Sequence, residues 1–291
     1  MALLPKAKTP PKTSLNDFTI LLYGEPKVGK TTFCNAGGQT LFLATEDGQG
    51  GLEAFRVPID SWETFLQVLD ELKDDGLPYD KVCIDTIDNL YKFCAEWACK
   101  KLGVIHQSDA AYGKGADTIN SEFLRQLTRL SLMPYGLWMI SHASEREIKP
   151  RAGASYTMIS PTLPAAARRI VLGMADHILY AAREYETDEK TGAVINEQRV
   201  VHTQGSNYFE AGGRIELPAT LPLDYPAFEE AFKACLKPLI CEECGQQLQD
   251  TAKMRASDMA VWSRSRYGRQ LCVECAKKAH DGKERKGKKN E

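Results

Sequence analysis

Residues 24–32 have the types and spacing of a loop that binds a phosphate chain. They fit the pattern G-x-x-x-x-G-K-[ST] at each fixed position. The loop consists of Gly24, Glu25, Pro26, Lys27, Val28, Gly29, Lys30, Thr31 and Thr32. Its glycines allow backbone N–H groups to face phosphate oxygens. The Lys30 ammonium can then reach the β- and γ-phosphates, and the Thr31 hydroxyl can ligate Mg²⁺.

The residues before this loop support the same interpretation. Residues 18–23 form a short apolar run, which is typical of a buried parallel strand. A strand, a glycine loop and a helix in that order favour nucleotide binding over a chance glycine turn.

Acidic residues follow two later apolar runs. Residues 81–85 end in Asp85, which we expect to hold Mg²⁺ through water from the end of a parallel strand beside the phosphate loop. Residues 40–47 end in Glu46 and Asp47. We predict that Glu46 orients and deprotonates the attacking water, with Asp47 as the alternative. The pair would otherwise be two solvated acids at the start of a loop.

A fourth strand is predicted over residues 136–142 and ends in two polar side chains. His142 is the predicted sensor of the γ-phosphate, through a hydrogen bond, and Ser141 is the weaker candidate for that position. The alternative is that His142 only caps the end of its strand.

Length and composition allow one α/β domain with a small appendage. The chain has 291 residues, and 43% of them are hydrophobic, which is enough for a sizeable core. Strand-like runs alternate with helical ones, at 61–73, 87–102, 117–133 and 163–174. A hairpin is predicted over 185–203, with its turn at 190–192. This alternation predicts a mostly parallel sheet flanked by helices.

We divide the chain into four segments. A disordered arm is predicted over residues 1–16, the nucleotide-binding domain over 17–237, a metal-binding module over 238–280 and a basic disordered tail over 281–291. No apolar run approaches the length of a membrane span, and no signal peptide is recognisable. We therefore expect a soluble, cytoplasmic protein whose nine cysteines are mostly reduced or metal-bound.

Basic residues near the ligand edge of the sheet are candidates for contacts outside the nucleotide. The loop after His142 carries Lys149 and Arg151, which can reach a DNA backbone or a neighbour's phosphates. Arg168 and Arg169 follow on a predicted helix, and one of them can serve as an arginine finger across a subunit interface. In the alternative interpretation all four are solvated surface charges.

Four cysteines near the C-terminus have the spacing of a structural zinc site. The pairs are Cys241 with Cys244 and Cys272 with Cys275, each in a C-x-x-C arrangement. Four thiolates give tetrahedral Zn²⁺ coordination with no position left open for water. We expect a small hairpin between the pairs, and metal binding as the main source of the module's stability.

Positive charge collects in the same module. Residues 241–291 contain 12 basic and 8 acidic residues, a net charge of +4, whereas the whole chain carries −2. Between the cysteine pairs, aromatic residues alternate with arginines that include Arg264 and Arg266. That mixture suits single-stranded nucleic acid. The alternative is a protein-interaction module with a solubilising tail.

The chain contains four motifs in this order, at residues 24–32, 43–48, 82–90 and 140–145, and together they resemble those of the phage-type nucleotide-binding AAA proteins. These are reduced RecA-like ATPases associated with single-strand annealing recombination. The resemblance covers about residues 17–205. It implies a RecA-like core that uses ATP and Mg²⁺, binds single-stranded DNA and works beside a single-strand-binding protein. The C-terminal pattern resembles zinc knuckles of phage recombination proteins.

The resemblance assigns roles by position. Lys30 and Thr31 would hold phosphate and Mg²⁺, Asp85 would be the second Mg²⁺ contact, Glu46 the base and His142 the sensor. We expect a homo-oligomeric ATPase that assists recombination, in a bacterial host's cytoplasm if phage-encoded. The alternatives are a helicase, a helicase loader, or a nucleotide-gated adaptor in DNA replication that does not hydrolyse ATP.

Overall fold

A computed structural model describes residues 11–48, 50–74, 76–151, 153–188, 191, 194–251 and 254–287, except for the side chains of 281–287. The chain divides into two compact units, Leu15–Cys235 and a C-terminal unit that begins at Leu236. Most of the predicted N-terminal arm, residues 1–10, lies outside the described residues. Leu15–Asp17 forms a 3-10 turn in which Leu15 is buried.

The larger unit is an α/β domain, which confirms the predicted fold class. Its strands are β1 (Thr19–Gly24), β2 (Thr40–Ala44), β3 (Phe55–Pro58), β4 (Lys81–Asp85), β5 (Gly136–Ile148), β6 (Tyr156–Pro161), β7 (His177–Thr187), β8 (Val194–His202), β9 (Gly212–Gly213) and β10 (Thr220–Pro222). Its helices are α1 (Lys30–Asn35), α2 (Trp62–Glu71), α3 (Ile87–Leu102), α4 (Lys114–Ser131), α5 (Ala165–Met174) and α6 (Tyr225–Cys235).

The strands form one sheet in the order β10-β8-β7-β1-β5-β4-β2-β3, with β6 paired to β5 and β9 paired to β7. All neighbours from β3 to β7 are parallel, whereas β8 and β10 continue the sheet in antiparallel pairing. Because β5 lies between β1 and β4, Asp85 ends the second neighbour of β1 and not the adjacent strand. The carboxyl ends of the parallel strands still meet at one edge, where ligands bind in such sheets.

Helices cover both faces of the sheet, so the central strands β1 and β4 are buried along their whole length. Helices α2 to α5 pack on the face that carries Leu43, Ile84 and Met139. The short helix α1 and helix α6 pack on the other face, where Phe33 of α1 contacts the rings of Trp138 and Phe228.

Two regions of the larger unit differ from the predictions. Strand β5 continues beyond His142 to Ile148 and pairs with β6, so the predicted basic loop is an antiparallel hairpin with a shorter tip. The β7–β8 hairpin is also longer than predicted and pairs back to Tyr180 and His202. Most of its predicted turn at 190–192 lies outside the described residues.

In its described residues, the C-terminal unit forms helices α7 (Ala256–Tyr267) and α8 (Val273–Gly287). Between the cysteine pairs, the structure shows an antiparallel bridge, from Thr251 to Met254, followed by α7, a helix that was not predicted. Burial of small residues on α7, among them Ala256 and Ala260, lets it lie close to Leu248 and Leu271. The tail predicted as disordered is helical through Gly287, and residues 288–291 lie outside the described part.

Within the described ranges, no helix is both long enough and apolar enough to cross a bilayer.

Candidate nucleotide site and cysteine cluster

The phosphate loop follows β1 directly and depends on glycine at two points. A Cβ on Gly24 would lie 2.2 Å from the carbonyl oxygen of Ala181, so only glycine fits between β1 and β7. Gly29 has φ 118° and is the N-cap of α1, and its carbonyl accepts from the Phe33 N–H at 2.9 Å. This left-handed turn is readily adopted only by glycine, and it leads the chain into the helix.

Lys30 is buried inside the loop. Its Nζ donates to the carbonyl oxygens of Gly24 at 2.9 Å and Glu25 at 2.7 Å. An ammonium has three donors, so one N–H is left for a phosphate oxygen. Burial lowers the pKa of Lys30, while the nearby Asp85 and Glu46 carboxylates act in the opposite direction. The ammonium is therefore a desolvated cation that a phosphate would stabilise.

Oxygen ligands for a hard cation meet beside this lysine. The Thr31 hydroxyl donates to Asp85 Oδ2 at 2.8 Å. Thr45 fixes the neighbouring strand ends, since its N–H donates to the Asp85 carbonyl at 2.8 Å and its hydroxyl accepts from the Thr86 N–H at 2.7 Å. Hydroxyl and carboxylate oxygens suit Mg²⁺, so the residues present fit the ion that the phosphate loop implies.

Glu46 and His142 face each other across the strand ends. His142 Nε2 lies 3.6 Å from Glu46 Oε2, and the Asn89 amide donates to the same oxygen at 3.3 Å. His142 Nδ1 is buried and has no hydrogen-bond partner among the described residues. Asp47 lies instead in an adjoining depression with Arg56. Of the two predicted acids, Glu46 is the one that lines the nucleotide cleft.

Asp88 anchors the strand that carries the histidine. Its two carboxylate oxygens accept from the Ser141 hydroxyl at 2.9 Å and from the His142 N–H at 3.2 Å. Burial raises the pKa of Asp88, although these hydrogen bonds oppose the rise. Ser141 is fully buried in this contact, so it does not reach the cleft as the predicted alternative to His142.

The groups from the loop and the strand ends line one cleft of about 550 Å³. Such a volume is typical of a site for a small ligand. The lining residues are Pro26, Lys27, Gly29, Lys30, Thr31, Thr32, Glu46, Gly48, Gly51, Leu52, Asp85, His142 and Arg199. Of the remaining predicted loop residues, Gly24 and Glu25 contribute the carbonyl oxygens that accept from Lys30, and Val28 is buried.

Asp88, Asn89 and Arg199 are residues of the site that were not predicted from the sequence. Asp88 and Asn89 follow Asp85 closely in the chain, and their position at the start of α3 was the signal that could have identified them. Arg199 lies on β8, far from the motifs, and only the strand pairing brings it to the cleft.

The basic residues predicted to make DNA or intersubunit contacts lie elsewhere. In the part of the chain that the structure describes, none of Lys149, Arg151, Arg168 and Arg169 lines the nucleotide cleft. Lys149 pairs with Glu147 at 3.2 Å in solvent, and Arg168 donates to the Leu163 carbonyl at 3.3 Å. Burial, followed by the nearby Arg146, lowers the pKa of Arg168.

The four predicted cysteines converge in the C-terminal unit. The sulfur atoms of Cys241, Cys244, Cys272 and Cys275 all lie within 4.8 Å of one another, and those of Cys244 and Cys272 are 3.8 Å apart. A tetrahedral ion with bonds of about 2.3 Å separates its sulfur ligands by about 3.8 Å. Gly245, with φ 73°, turns the first pair so that its N–H donates to the Cys241 carbonyl. The cluster could hold a metal ion.

The arginines beside the cluster have partners within the unit. Arg264 pairs with Glu242 at 2.9 Å, and Arg269 pairs with Glu243. Arg266 lies over the Trp262 ring, with its guanidinium carbon 5.8 Å from the ring centre. An arginine and an exposed aromatic ring are thus placed together at the surface.

Comparison with protein families identifies a known domain in the chain. The sequence profile described as AAA domain matches residues 16–215, which is more than half of the chain and includes the whole nucleotide cleft. No curated protein matches the chain.

Proposed function

Because the chain belongs to the AAA domain family, we propose that it is an Mg²⁺-dependent ATPase that binds single-stranded DNA and assists single-strand annealing or recombination. Family membership indicates nucleotide-dependent activity of the P-loop type. The observation that carries hydrolysis is the convergence of Thr31, Asp85, Glu46 and His142 on the cleft that contains Lys30.

The residues of the cleft have separate roles in the proposed reaction. Thr31 and Asp85 would hold Mg²⁺, which neutralises charge on the phosphates when it is bound. Glu46 orients a water molecule and accepts its proton as the water oxygen attacks the γ-phosphorus. The bond from that phosphorus to the bridging oxygen of ADP then breaks. Lys30 and His142 stabilise the charge that develops on the γ-phosphate oxygens. Catalysis comes mainly from positioning and from fixed charges.

Binding of single-stranded DNA is proposed from two surfaces. Lys149 and Arg151 are exposed beyond the sheet on the hairpin that continues β5, the strand that also carries His142. Arg266 and Trp262 offer a cation and an aromatic ring in the C-terminal unit. Cations attract the phosphate backbone, and aromatic rings stack on bases of any sequence. A single-strand-binding protein is the proposed protein partner.

The cysteine cluster is proposed to bind Zn²⁺ as a structural ion. The spacing of the sulfur atoms supports it, and the ion would leave no coordination position for water. A homo-oligomer is also proposed, in which Arg168 or Arg169 would approach a neighbour's nucleotide.

ATP hydrolysis with and without single-stranded DNA tests the proposal. We expect turnover that DNA stimulates and that Lys30→Ala abolishes, while the variant keeps its unfolding midpoint. Unchanged turnover in Lys30→Ala would exclude this cleft as the catalytic site. Turnover that does not respond to DNA would indicate the helicase-loader alternative. Tight ATP binding without turnover would indicate an adaptor.

A further inference from the structure

We propose that Arg199 binds the α-phosphate and nucleoside end of the nucleotide within its own chain. This inference rests on the proposed nucleotide binding and adds a residue to that site. Arg199 belongs to none of the sequence motifs, and it lines the same cleft as Lys30, Glu46 and His142.

Strand register places Arg199 on the sheet face that carries the phosphate-binding helix. Residue pairs across a strand ladder project on the same face, as do residues two apart in one strand. Gly24 of β1 pairs with Ala181, and Ala181 pairs with Val201, two residues after Arg199. The side chain then extends over the loop, and its Nη1 lies 3.7 Å from the position that a Cβ on Gly29 would occupy.

Arg199 and the neighbouring Arg183 differ in whether their charges are paired with a carboxylate. Arg183 is its direct cross-strand partner, and Arg183 pairs with Glu197 at 3.6 Å. In the described ranges no carboxylate lies within ion-pair distance of Arg199. An anion bound at the loop would pair with the charge of Arg199, and phosphate oxygens match the donors of a guanidinium.

The side of β1 from which Arg199 reaches the cleft identifies the part of the nucleotide that Arg199 contacts. Asp85, Glu46 and His142 reach the loop from β4, β2 and β5, on one side of β1. They mark the position of the cation and the γ-phosphate. Arg199 comes from β8, on the opposite side of β1. The phosphate chain must leave the loop away from its γ end, so its α-phosphate and nucleoside lie toward Arg199.

Binding of fluorescent ATP and ADP analogues to the full chain tests this assignment. The variants are Arg199→Ala and Arg199→Lys, with Arg183→Ala as the matched control from the opposite strand. We expect Arg199→Ala to weaken both ligands by about tenfold, the size of one charged hydrogen bond. Arg199→Lys should restore part of the affinity, and Arg183→Ala should bind normally. The KM for ATP should rise by about the same factor as the dissociation constant, which is the pattern expected when a binding interaction is lost.

Any of the following results would overturn the assignment of Arg199 to the α-phosphate and nucleoside. Equal binding by wild type and Arg199→Ala, with matching unfolding midpoints, would remove the inference and leave the proposed function intact. Loss of ATP affinity with normal ADP affinity, or a collapse of the saturated rate alone, would place Arg199 at the γ-phosphate. A wild-type chain that binds neither nucleotide would overturn the proposed function together with this inference.

Discussion

Individual side chains of the cleft are held in place by neighbours before any ligand arrives. Asn89 and His142 approach the same oxygen of Glu46, and Asp88 fixes the backbone N–H of His142. Fixed groups lose little freedom when a substrate binds, which is how an enzyme lowers the barrier by positioning. Because the Glu46 carboxylate is held in this way, a mutation of Glu46 tests its proposed role as the general base directly.

Replacing Glu46 with glutamine should separate catalysis from binding. The amide keeps the shape of the side chain and a hydrogen-bonding oxygen, but it cannot accept a proton from water. General-base catalysis contributes about 10²–10⁴-fold, so we expect the ATPase rate to fall by at least about 10²-fold while ATP affinity stays within about threefold. Steady-state kinetics and ligand binding measure the two quantities.

Asp47→Asn is the matched control for that variant. It removes one carboxylate from the adjacent position, and Asp47 lies outside the nucleotide cleft. We expect its ATPase rate to stay close to that of the wild type. If Asp47→Asn lost activity and Glu46→Gln kept it, Asp47 would be the general base.

His177 gives the protein a predictable pH dependence of stability. It is buried against the rings of Phe18 and Phe232, and its Nε2 lacks a hydrogen-bond partner among the described residues. Burial lowers its pKa below the ordinary 6.5, although Asp176 acts in the opposite direction. At pH values between the folded pKa and 6.5, the unfolded chain therefore binds a proton that the folded chain does not.

The expected result is that the free energy of unfolding falls as pH drops below about 6.5. Urea unfolding at pH 7.5 and pH 5.5 measures it, and His177→Gln should show a smaller difference between the two values. Part of the slope will remain, because burial also lowers the pKa of His202. An identical slope in wild type and variant would show that His177 is not the group that titrates.

At the scale of elements, the sequence predicted the cleft residues whose positions follow from the ends of parallel strands. It did not predict the residue whose position follows from strand register. Asp85, Glu46 and His142 were identified because parallel strands end at one edge of a sheet. Arg199 was not, because its position follows from the pairing of an antiparallel hairpin. Helix α7 was also missed, since its buried residues are mainly small ones such as Ala260 and Ser263, which give a weak apolar period.

The β5–β6 hairpin is the element that connects the cleft to the DNA surface proposed above. Reversing two of its charges with Lys149→Glu and Arg151→Glu should weaken binding of single-stranded DNA. The slope of log affinity against log salt should fall by about 0.7 for each phosphate contact that is lost. ATP turnover without DNA should not change, because neither residue lines the cleft.

Lys233→Glu is the control for this charge reversal, since Lys233 is an exposed lysine on α6. DNA titrations at three salt concentrations compare the variants. If the double variant bound DNA with the wild-type salt slope, the hairpin would not be the contact. The C-terminal unit, with Arg266 over Trp262, would then be the remaining surface to test.

The whole molecule consists of two units whose cores are separate. The larger unit buries a wide apolar core, including Trp62, Phe65 and Phe123, under α2 to α4. The core of the C-terminal unit is small and includes Cys241 and Cys275 themselves. Because two of the proposed metal ligands belong to this small core, the C-terminal unit should depend on the ion for its stability.

Removing the metal should therefore unfold one unit and leave the other folded. We expect about one zinc ion per purified chain and a separate thermal transition that a strong chelator abolishes. The transition of the larger unit should stay in place. ATP binding should persist, because every residue of the cleft belongs to Leu15–Cys235. Acid should release the ion as well, since the bound ligands are thiolates.

Two cysteine variants make this prediction specific to the cluster. Cys244→Ser removes a proposed ligand, and this variant should lose both the zinc and the chelator-sensitive thermal transition. Cys235→Ser removes an exposed thiol at the end of α6, outside the cluster, and should retain both. A zinc-free wild type with a chelator-insensitive melt would contradict the metal site. Loss of ATP binding on chelation would instead show that the two units are energetically coupled, although the residues of the cleft and those of the cluster belong to different units.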